Sequence, residues 1–373
     1  MHYKKIIIFS IIFLGILGLT NNSWAATPTI SNVTGTIVTG QTITVTGTNM
    51  VNEDRTNWDP FFAAHPNASN FEGIDHLADG YRCLDCPWNM WADGIPIAYK
   101  GAPGRIWQPR YVTSPRLMGN QSIRFHVEFI DTNLVNVISN TTFTHSLSPA
   151  GIWFRMYAMW DSNDKNYSHL KFFDTMGGTQ QTYIQPWPDL SGLIVLDHGG
   201  MNSCNPGTIW TQQCNYNVAF QKNRWYCIEI HYDTTPSIWV YKDGTLIIRA
   251  FQTIFENWTT FLMGIINTVI PYAGGYMDNW WDAFGVSTTR IYPASTIEIS
   301  NNSTYGAGTL VYQEPIYLSD GSVQAKLDLS SLGSGPYYLW VTNNKQERST
   351  VYTLGAVGPD TTPPAAPSGV TVL

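Results

Sequence analysis

Polar residues that could move a proton or neutralise a sugar carboxylate recur at every second position along three stretches of this 373-residue chain. Arg124, His126 and Glu128 alternate with Ile123, Phe125, Val127 and Phe129. Trp153, Arg155 and Tyr157 alternate with Ile152, Phe154, Met156 and Ala158. His169 and Lys171 alternate with Leu170 and Phe172. A period of two puts each polar set on one face of a strand and each apolar set on the other. Gathered on one sheet, the polar sets would line a cleft with cations, imidazoles and a phenol. That set suits β-elimination from a uronic acid polymer. A cation offsets the substrate carboxylate and acidifies the neighbouring C–H, and Tyr or His exchanges the proton. The lyase candidates are Tyr157, His169, Arg155, Lys171 and His126. The competing reading is a solvated face whose polar side chains meet only water.

The same positions can bind a sugar without catalysis. Trp153, Arg155, Tyr157, His169 and Lys171 then form a binding face, joined by Glu229 and His231 from W-Y-C-I-E-I-H-Y (225–232). Trp88, Trp91, Trp107 and Trp187 lie among Pro, Asn and Gly, in loop contexts where a binding surface exposes rings. The competing reading is that they pin loops to a core. G-x-S-x-G and H-E-x-x-H are absent, so the sequence shows neither a nucleophile elbow nor a zinc-protease helix.

The elements that must position these residues are strands. Trp225–Ala250 reads as three antiparallel strands. Asp233–Pro236 supplies one turn, and Asp243-Gly244 a tight hairpin whose two loop residues accept φ > 0. Composition agrees with an extracellular β protein. Charged residues make up 13% and aromatics 14%, with 15 tryptophans. The formal charge of −7, without a Lys/Arg cluster, excludes a typical nucleic-acid binder. Met1–Ala25 reads as a secretory signal, with Lys4 and Lys5 before an apolar run and cleavage near Ala25. Its removal takes the charge to about −9, and no later segment is apolar enough to span a membrane. All five cysteines fall in the exported part, where disulfides persist. Cys204 and Cys214 bracket one loop and Cys83 and Cys86 another. Each pair is expected to bridge, leaving Cys227 as a buried thiol.

Two resemblances organise the chain. W-Y-C-I-E-I-H-Y, I-W-V-Y-K-D-G-T-L and Y-M-D-N-W-W-D-A-F-G-V-S-T follow one another as in concanavalin A-like (laminin G-like jelly-roll) domains. That resemblance implies a jelly roll over 52–291 and a fold shared by lectins and polysaccharide lyases. It also places Asp278 at the family's closing-strand Asp, a ligand for a structural Ca²⁺; no other cofactor is indicated. The E-x-D-x-x-E of laminarinase-type members is missing, which disfavours a retaining glycosidase. The Q-I-H and Y-x-K-x-G strands of alginate-lyase-type members are missing too. I-S-N-V-T-G and G-Q-T-I-T-V-T-G-T-N-M near the start, with Y-Y-L-W-V-T-N near the end, resemble an IPT/TIG immunoglobulin-like domain in two parts, 26–51 and 292–357. Residues 358–373 read as a Pro-rich linker and the start of a fibronectin III-like strand.

The expectation is an all-β chain: an antiparallel β-sandwich jelly roll inserted in, or flanked by, an immunoglobulin-like sandwich. Its expected role is that of a secreted, non-catalytic carbohydrate-binding protein of the cell surface or matrix. Its partners would be a polysaccharide or glycoconjugate and surface or matrix proteins. The alternatives are a polysaccharide lyase and a structural surface or filament protein.

Overall fold

The computed structural model describes residues 26–59, 89–90, 110–129, 138–144, 147, 151–162, 168–176, 182–187, 193–197, 201–205, 208–210, 213–217, 220–233, 237–252, 260–269 and 275–355. Every regular element among them is a strand. The signal segment, Cys83, Cys86, Trp88, Trp91, Trp107 and the Pro-rich tail lie outside them.

The chain opens with β1 (Thr29–Thr34) and β2 (Thr42–Thr48). Two short strands, β3 (Asn89–Met90) and β4 (Arg110–Val112), precede β5 (Ser122–Phe129) and β6 (Ile138–Thr144). Then come β7 (Ile152–Ser162), β8 (Ser168–Met176), β9 (Thr182–Trp187) and β10 (Leu193–Asp197). Short strands β11 (Met201–Asn205), β12 (Thr208–Trp210) and β13 (Gln213–Asn217) follow. The central hairpins are β14 (Tyr226–Tyr232), β15 (Ser237–Lys242) and β16 (Thr245–Gln252). The large unit ends with β17 (Thr260–Val269) and β18 (Gly275–Ser287). The tail adds β19 (Ser295–Ser300), β20 (Leu310–Tyr312), β21 (Glu314–Leu318), β22 (Ser322–Lys326), β23 (Tyr337–Asn343) and β24 (Tyr352–Gly355).

Two eight-stranded antiparallel sheets form the large sandwich. One runs β11-β16-β15-β14-β7-β18-β5-β4 and the other β12-β13-β10-β9-β8-β17-β6-β3. The first sheet buries its apolar parity inward. Phe125, Phe154, Ile228, Ile230, Val240, Ile248 and Trp281 are all buried. Phe125 and Trp281 meet edge to face at 6.4 Å, and Phe154 and Tyr232 at 5.8 Å, a geometry that aligns ring edges with ring faces. Asp243 and Gly244 hold φ of 50° and 80°, so the hairpin turn read from sequence is present between β15 and β16.

Two four-stranded sheets, β1-β2-β22-β21 and β20-β19-β23-β24, form a smaller sandwich. Its two ends come from opposite ends of the described chain, since Thr42–Thr46 on β2 pairs with Lys326–Ser322 on β22. Ile43, Val45, Ile297, Ile299, Val323, Leu339 and Val341 fill its core. Gly47 in V-T-G-T-N must be glycine, because a Cβ there would stand 1.7 Å from the Thr29 carbonyl oxygen.

The core does not stop at the small sandwich. It continues through Leu117 and Met118 into Tyr157, Met159, Trp225, Cys227 and Trp280. These last five project from the outer, odd-or-even polar parity of the first large sheet. That face, expected to be open to sugar, is covered through its centre by the small sandwich and by the segment 52–59. Ala294 N donates to Tyr157 Oη at 3.1 Å, Leu318 N to Leu117 O at 2.8 Å, and Asn344 Nδ2 to Tyr292 O at 2.7 Å.

A bulge between Asp282 and Gly285 lies at the middle of this seam. Ala283 takes φ of 49° there, a left-handed geometry unusual for a residue with a Cβ. It aims the Ala283 carbonyl at Arg155 Nε, 3.0 Å away. The Asp282 carboxylate accepts Leu117 N and Met118 N at 2.8 Å each and Ala283 N at 2.7 Å. Arg155 also binds the Glu53 carboxylate, which in turn holds Arg55. The Trp58 ring closes the site, resting where a Cβ on Gly285 would stand at 2.8 Å. Burial alone would push the Glu53 carboxyl up, but Arg155 and Arg55 together hold it below its usual value. Its stabilising contribution is therefore whole at neutral pH and lost as pH falls through the depressed value. Arg155→Ala, which strands a buried carboxylate, should cost about 3–5 kcal/mol in denaturant titrations at neutral pH. A loss below about 1 kcal/mol would mean that Glu53 is resolvated on substitution and that the seam is not closed.

Candidate functional site

Beside the covered centre, the outer face of the first large sheet keeps a half-buried fringe. Its residues stand in one transverse row across four strands, which the fully buried Ser287 continues under the segment 52–59. Ser287 on β18 is the register partner of Trp153 on β7, Trp153 of His231 on β14, His231 of Trp239 on β15, and Trp239 of Arg249 on β16. The row exists because each of these residues has the outward parity of its strand and neighbouring strands lie about 4.8 Å apart. Trp153 and His231 stack at 4.0 Å with 9° between their planes. Trp239 crosses His231 at 6.0 Å and 70°. The Arg249 guanidinium covers the Trp239 ring at 4.3 Å. The rings thus stand on edge as a ridge, with a cation at one end.

The neighbouring row stiffens it. Arg155, Glu229 and Tyr241 are register partners. Glu229 is fully buried and takes two hydrogen bonds from Arg290, at 2.6 Å and 3.2 Å. Arg290 donates further to Gly244 O at 3.0 Å and lies 3.9 Å over Tyr241, 4.4 Å over Tyr292 and 5.7 Å from Trp153. Burial pushes the Glu229 carboxyl up in spite of this partner. Glu229 therefore serves to anchor Arg290 beneath the ridge and is not open to a ligand.

At the other flank of the same face, His126, Asp278 and Asp161 are consecutive register partners on β5, β18 and β7. Asp278 Oδ1 is 2.7 Å from His126 Nδ1 and 2.6 Å from Arg124 Nε, and Oδ2 takes Arg124 Nη2 at 2.9 Å. Tyr276 donates to Asp161 at 2.8 Å and lies 6.5 Å from the His126 ring. His126 Nδ1 thus stands between the Asp278 carboxylate and Arg124 Nη2, 3.2 Å away, while both Asp278 oxygens are engaged by Arg124.

The expected site residues separate into three groups. Arg155 and Tyr157 are 0% and 1% exposed, locked in the seam, and no sugar reaches them. Burial raises the Tyr157 phenol well above its ordinary value, so it is no base at neutral pH. His169 and Lys171 sit on β8, in the opposite sheet from Arg155 and Tyr157. The four therefore do not converge as expected, because the chain passes from one sheet to the other between β7 and β8. Trp153, His231 and His126 keep half-buried positions on the described outer face. Asp278 is corrected as a Ca²⁺ ligand: both its oxygens already serve Arg124 and His126. Burial would raise its pKa, but those two partners hold it below the usual range. Among the described residues no cluster of three or more His, Cys, Asp or Glu is arranged for a metal ion. Cys227 is a buried free thiol. Cys204 lies on β11 and Cys214 on β13, in different sheets; their side chains, like that of Trp187 on β9, lie outside the description.

Trp239, Tyr241, Arg249 and Arg290 were not singled out from the sequence. Trp239 was legible: in S-I-W-V-Y it opposes Ile238 and Val240 in parity, and counting back from the turn at 233–236 sets it against His231. Arg290 lies between strands, where no periodicity marks it.

No family model and no curated relative matches this chain. Solved structures share parts of its course. "Cellulose induced protein, Cip1" matches at 13% identity and TM-score 0.40, over 55% of this chain and 93% of that one. An endo-β-1,4-glucuronan lyase from the fungus Trichoderma reesei matches at 10% identity and TM-score 0.36, over 57% and 96%. A β-1,3-1,4-glucanase (lichenase) from a mouse hindgut metagenome matches at 11% and 0.37, over 56% and 96%. All three TM-scores fall below 0.5, and none of these proteins' activities passes to this chain by likeness.

Burial lowers the His231 pKa from 6.5, against the opposing pull of Asp233. A histidine with a folded-state pKa below its unfolded one stabilises the fold above the unfolded value and loses that contribution as pH falls through the folded value. Between pH 7 and pH 5 the melting temperature of the native chain should therefore fall more steeply than that of His231→Phe, which keeps the stack on Trp153. Parallel slopes would show that His231 titrates without cost to the ridge.

Proposed function

We propose that this chain is a secreted, non-catalytic polysaccharide-binding protein, with a concanavalin A-like jelly roll inserted in an IPT/TIG-like immunoglobulin domain. The observation that carries the binding reading is the in-register row Trp153–His231–Trp239–Arg249, half-buried on the solvent side of adjacent strands. A packed ring ridge is rigid before the ligand arrives, so little conformational freedom is lost on binding. Sugar C–H groups gain apolar contact with the ring surface that the ridge leaves to solvent, and hydroxyls accept hydrogen bonds from the guanidinium at its end. A row that crosses strands suits an extended chain and not a single sugar unit. On a glycan array the purified chain should retain a polysaccharide, and Trp239→Ala should weaken that binding at least tenfold with the melting transition preserved. A blank array, or unchanged affinity in Trp239→Ala, would sink the reading.

The second reading is a polysaccharide lyase, favoured by the Asp278–His126 pair with Tyr276 beside it. It moves the catalytic proposal from Arg155 and Tyr157 to the opposite flank. His126 would take the proton α to the uronate carboxylate, the C4–C5 double bond would form as the glycosidic C4–O bond breaks, the leaving oxygen would take a proton from solvent, and Asp278 would hold the imidazolium that forms. Incubation with polyuronates should then build the absorbance of an unsaturated uronate, and His126→Ala should abolish it. No absorbance change across a polyuronate panel would sink this second reading.

A further inference from the structure

Glu298 on β19 projects from the small sandwich away from its core, since Ile297 and Ile299 take the core side. It is nevertheless only 2% exposed. Its register partners on both sides are aromatic, Tyr312 on β20 and Trp340 on β23. Tyr305, from the loop after β19, meets Trp340 edge to face at 5.4 Å. Arg348 closes the top, with its guanidinium 3.3 Å from the Tyr305 ring centroid and its Nε 3.5 Å from Glu298 Oε2.

The carboxylate is unevenly satisfied. Oε1 accepts Thr296 Oγ1 at 3.2 Å and Thr342 Oγ1 at 3.4 Å. Oε2 is buried and has no donor in good hydrogen-bond geometry, although the Tyr305 phenol reaches the same carboxylate and is held up in pKa by burial and by that contact. Arg348 thus stands at ion-pair distance without donating to it. A buried carboxylate oxygen without a donor is a demand for one. Ring faces grouped around a carboxylate are the chemistry that recognises an organic cation. The planar guanidinium on Tyr305 favours arginine over lysine, since an ammonium cannot stack. Entry requires the Arg348 side chain to leave the Tyr305 ring and Glu298. Arg348 lies just past the turn after β23, held by Asn343 N to Glu347 O at 3.0 Å, and its side chain is 35% exposed. Tyr312, 47% exposed, forms the open rim.

We propose that Glu298, Tyr305, Tyr312 and Trp340 form a recognition cage for an arginine side chain of a partner protein, closed in the isolated chain by Arg348. Displacing Arg348 opens it, and the incoming guanidinium donates directly to Oε2. The occupant differs in kind from a sugar, and the cage lies on the other sandwich from the ring ridge. Its failure would leave the polysaccharide reading untouched.

The test titrates the full chain with N-acetylarginine amide and follows the Trp340 indole by NMR. Saturable binding is expected in the native chain. It should tighten at least tenfold in Arg348→Ala, where the internal competitor is gone, and be lost in Glu298→Gln. N-acetyllysine amide should bind at least fivefold more weakly than the arginine amide. If Glu298→Gln does not fold, Tyr312→Ala, at the exposed rim, should weaken binding at least fivefold with the fold intact. Binding by Arg348→Ala alone, with none in the native chain, marks a structural latch and overturns the proposal. So does the absence of saturable binding in both.

Discussion

The Arg155 guanidinium in the seam is the contact on which the arrangement of the two sandwiches depends. It is fully buried. A buried guanidinium is tolerated only when its donors are met and its charge is opposed. Here the Glu53 carboxylate opposes the charge, and the Ala283 carbonyl, turned inward by the bulge, meets Nε. Each partner comes from a different part of the chain, so the charge is neutralised only when β7, β18 and the segment 52–59 are all in place. The polar contact thereby specifies a single docking of the sandwiches, while the apolar residues around it, from Leu117 to Trp280, supply the burial.

That docking divides the outer face of the large sheet. Its centre is spent on the seam, with Tyr157, Glu229 and Asp282 all buried there. Function is displaced to the two fringes. On one, rings and arginines pack into a ridge. On the other, Asp278 gathers Arg124 and His126. The ridge inherits its rigidity from the seam, because Arg290, the cation under Trp153, is anchored by the buried Glu229 one row inward. The small sandwich is therefore a structural part of the large one and not a spacer beside it. Its core runs on, as one apolar cluster, into the outer face of the large sheet at Tyr157, Met159 and Cys227.

Strand parity alone marks the outer face of the first large sheet as a cleft. Arg155 and Tyr157 do alternate against Phe154 and Met156, and they do leave the inner core. What covers a second face cannot be deduced from alternation, since a strand buried on both sides and a strand with one polar face differ only in what arrives from elsewhere. A buried Arg and Tyr read locally like an exposed pair. Trp153, His231 and His126 were recognised for the same parity and happen to lie beyond the edge of the cover.

The sequence by itself determined the all-β class, the parity of β5, β7, β8 and β14 and the Asp243-Gly244 hairpin, because a period of two and turn chemistry are local properties. It also marks Trp153 and His231 as outward-facing candidates; their union with Trp239 in one row came from the strand register. The tertiary structure alone decided which sheet each strand entered, so that β8 left Arg155 and Tyr157 for the opposite layer. It alone decided that Glu53, 102 residues earlier, would meet Arg155. Pairings of that kind depend on which surfaces exclude water together, and no local pattern encodes the choice.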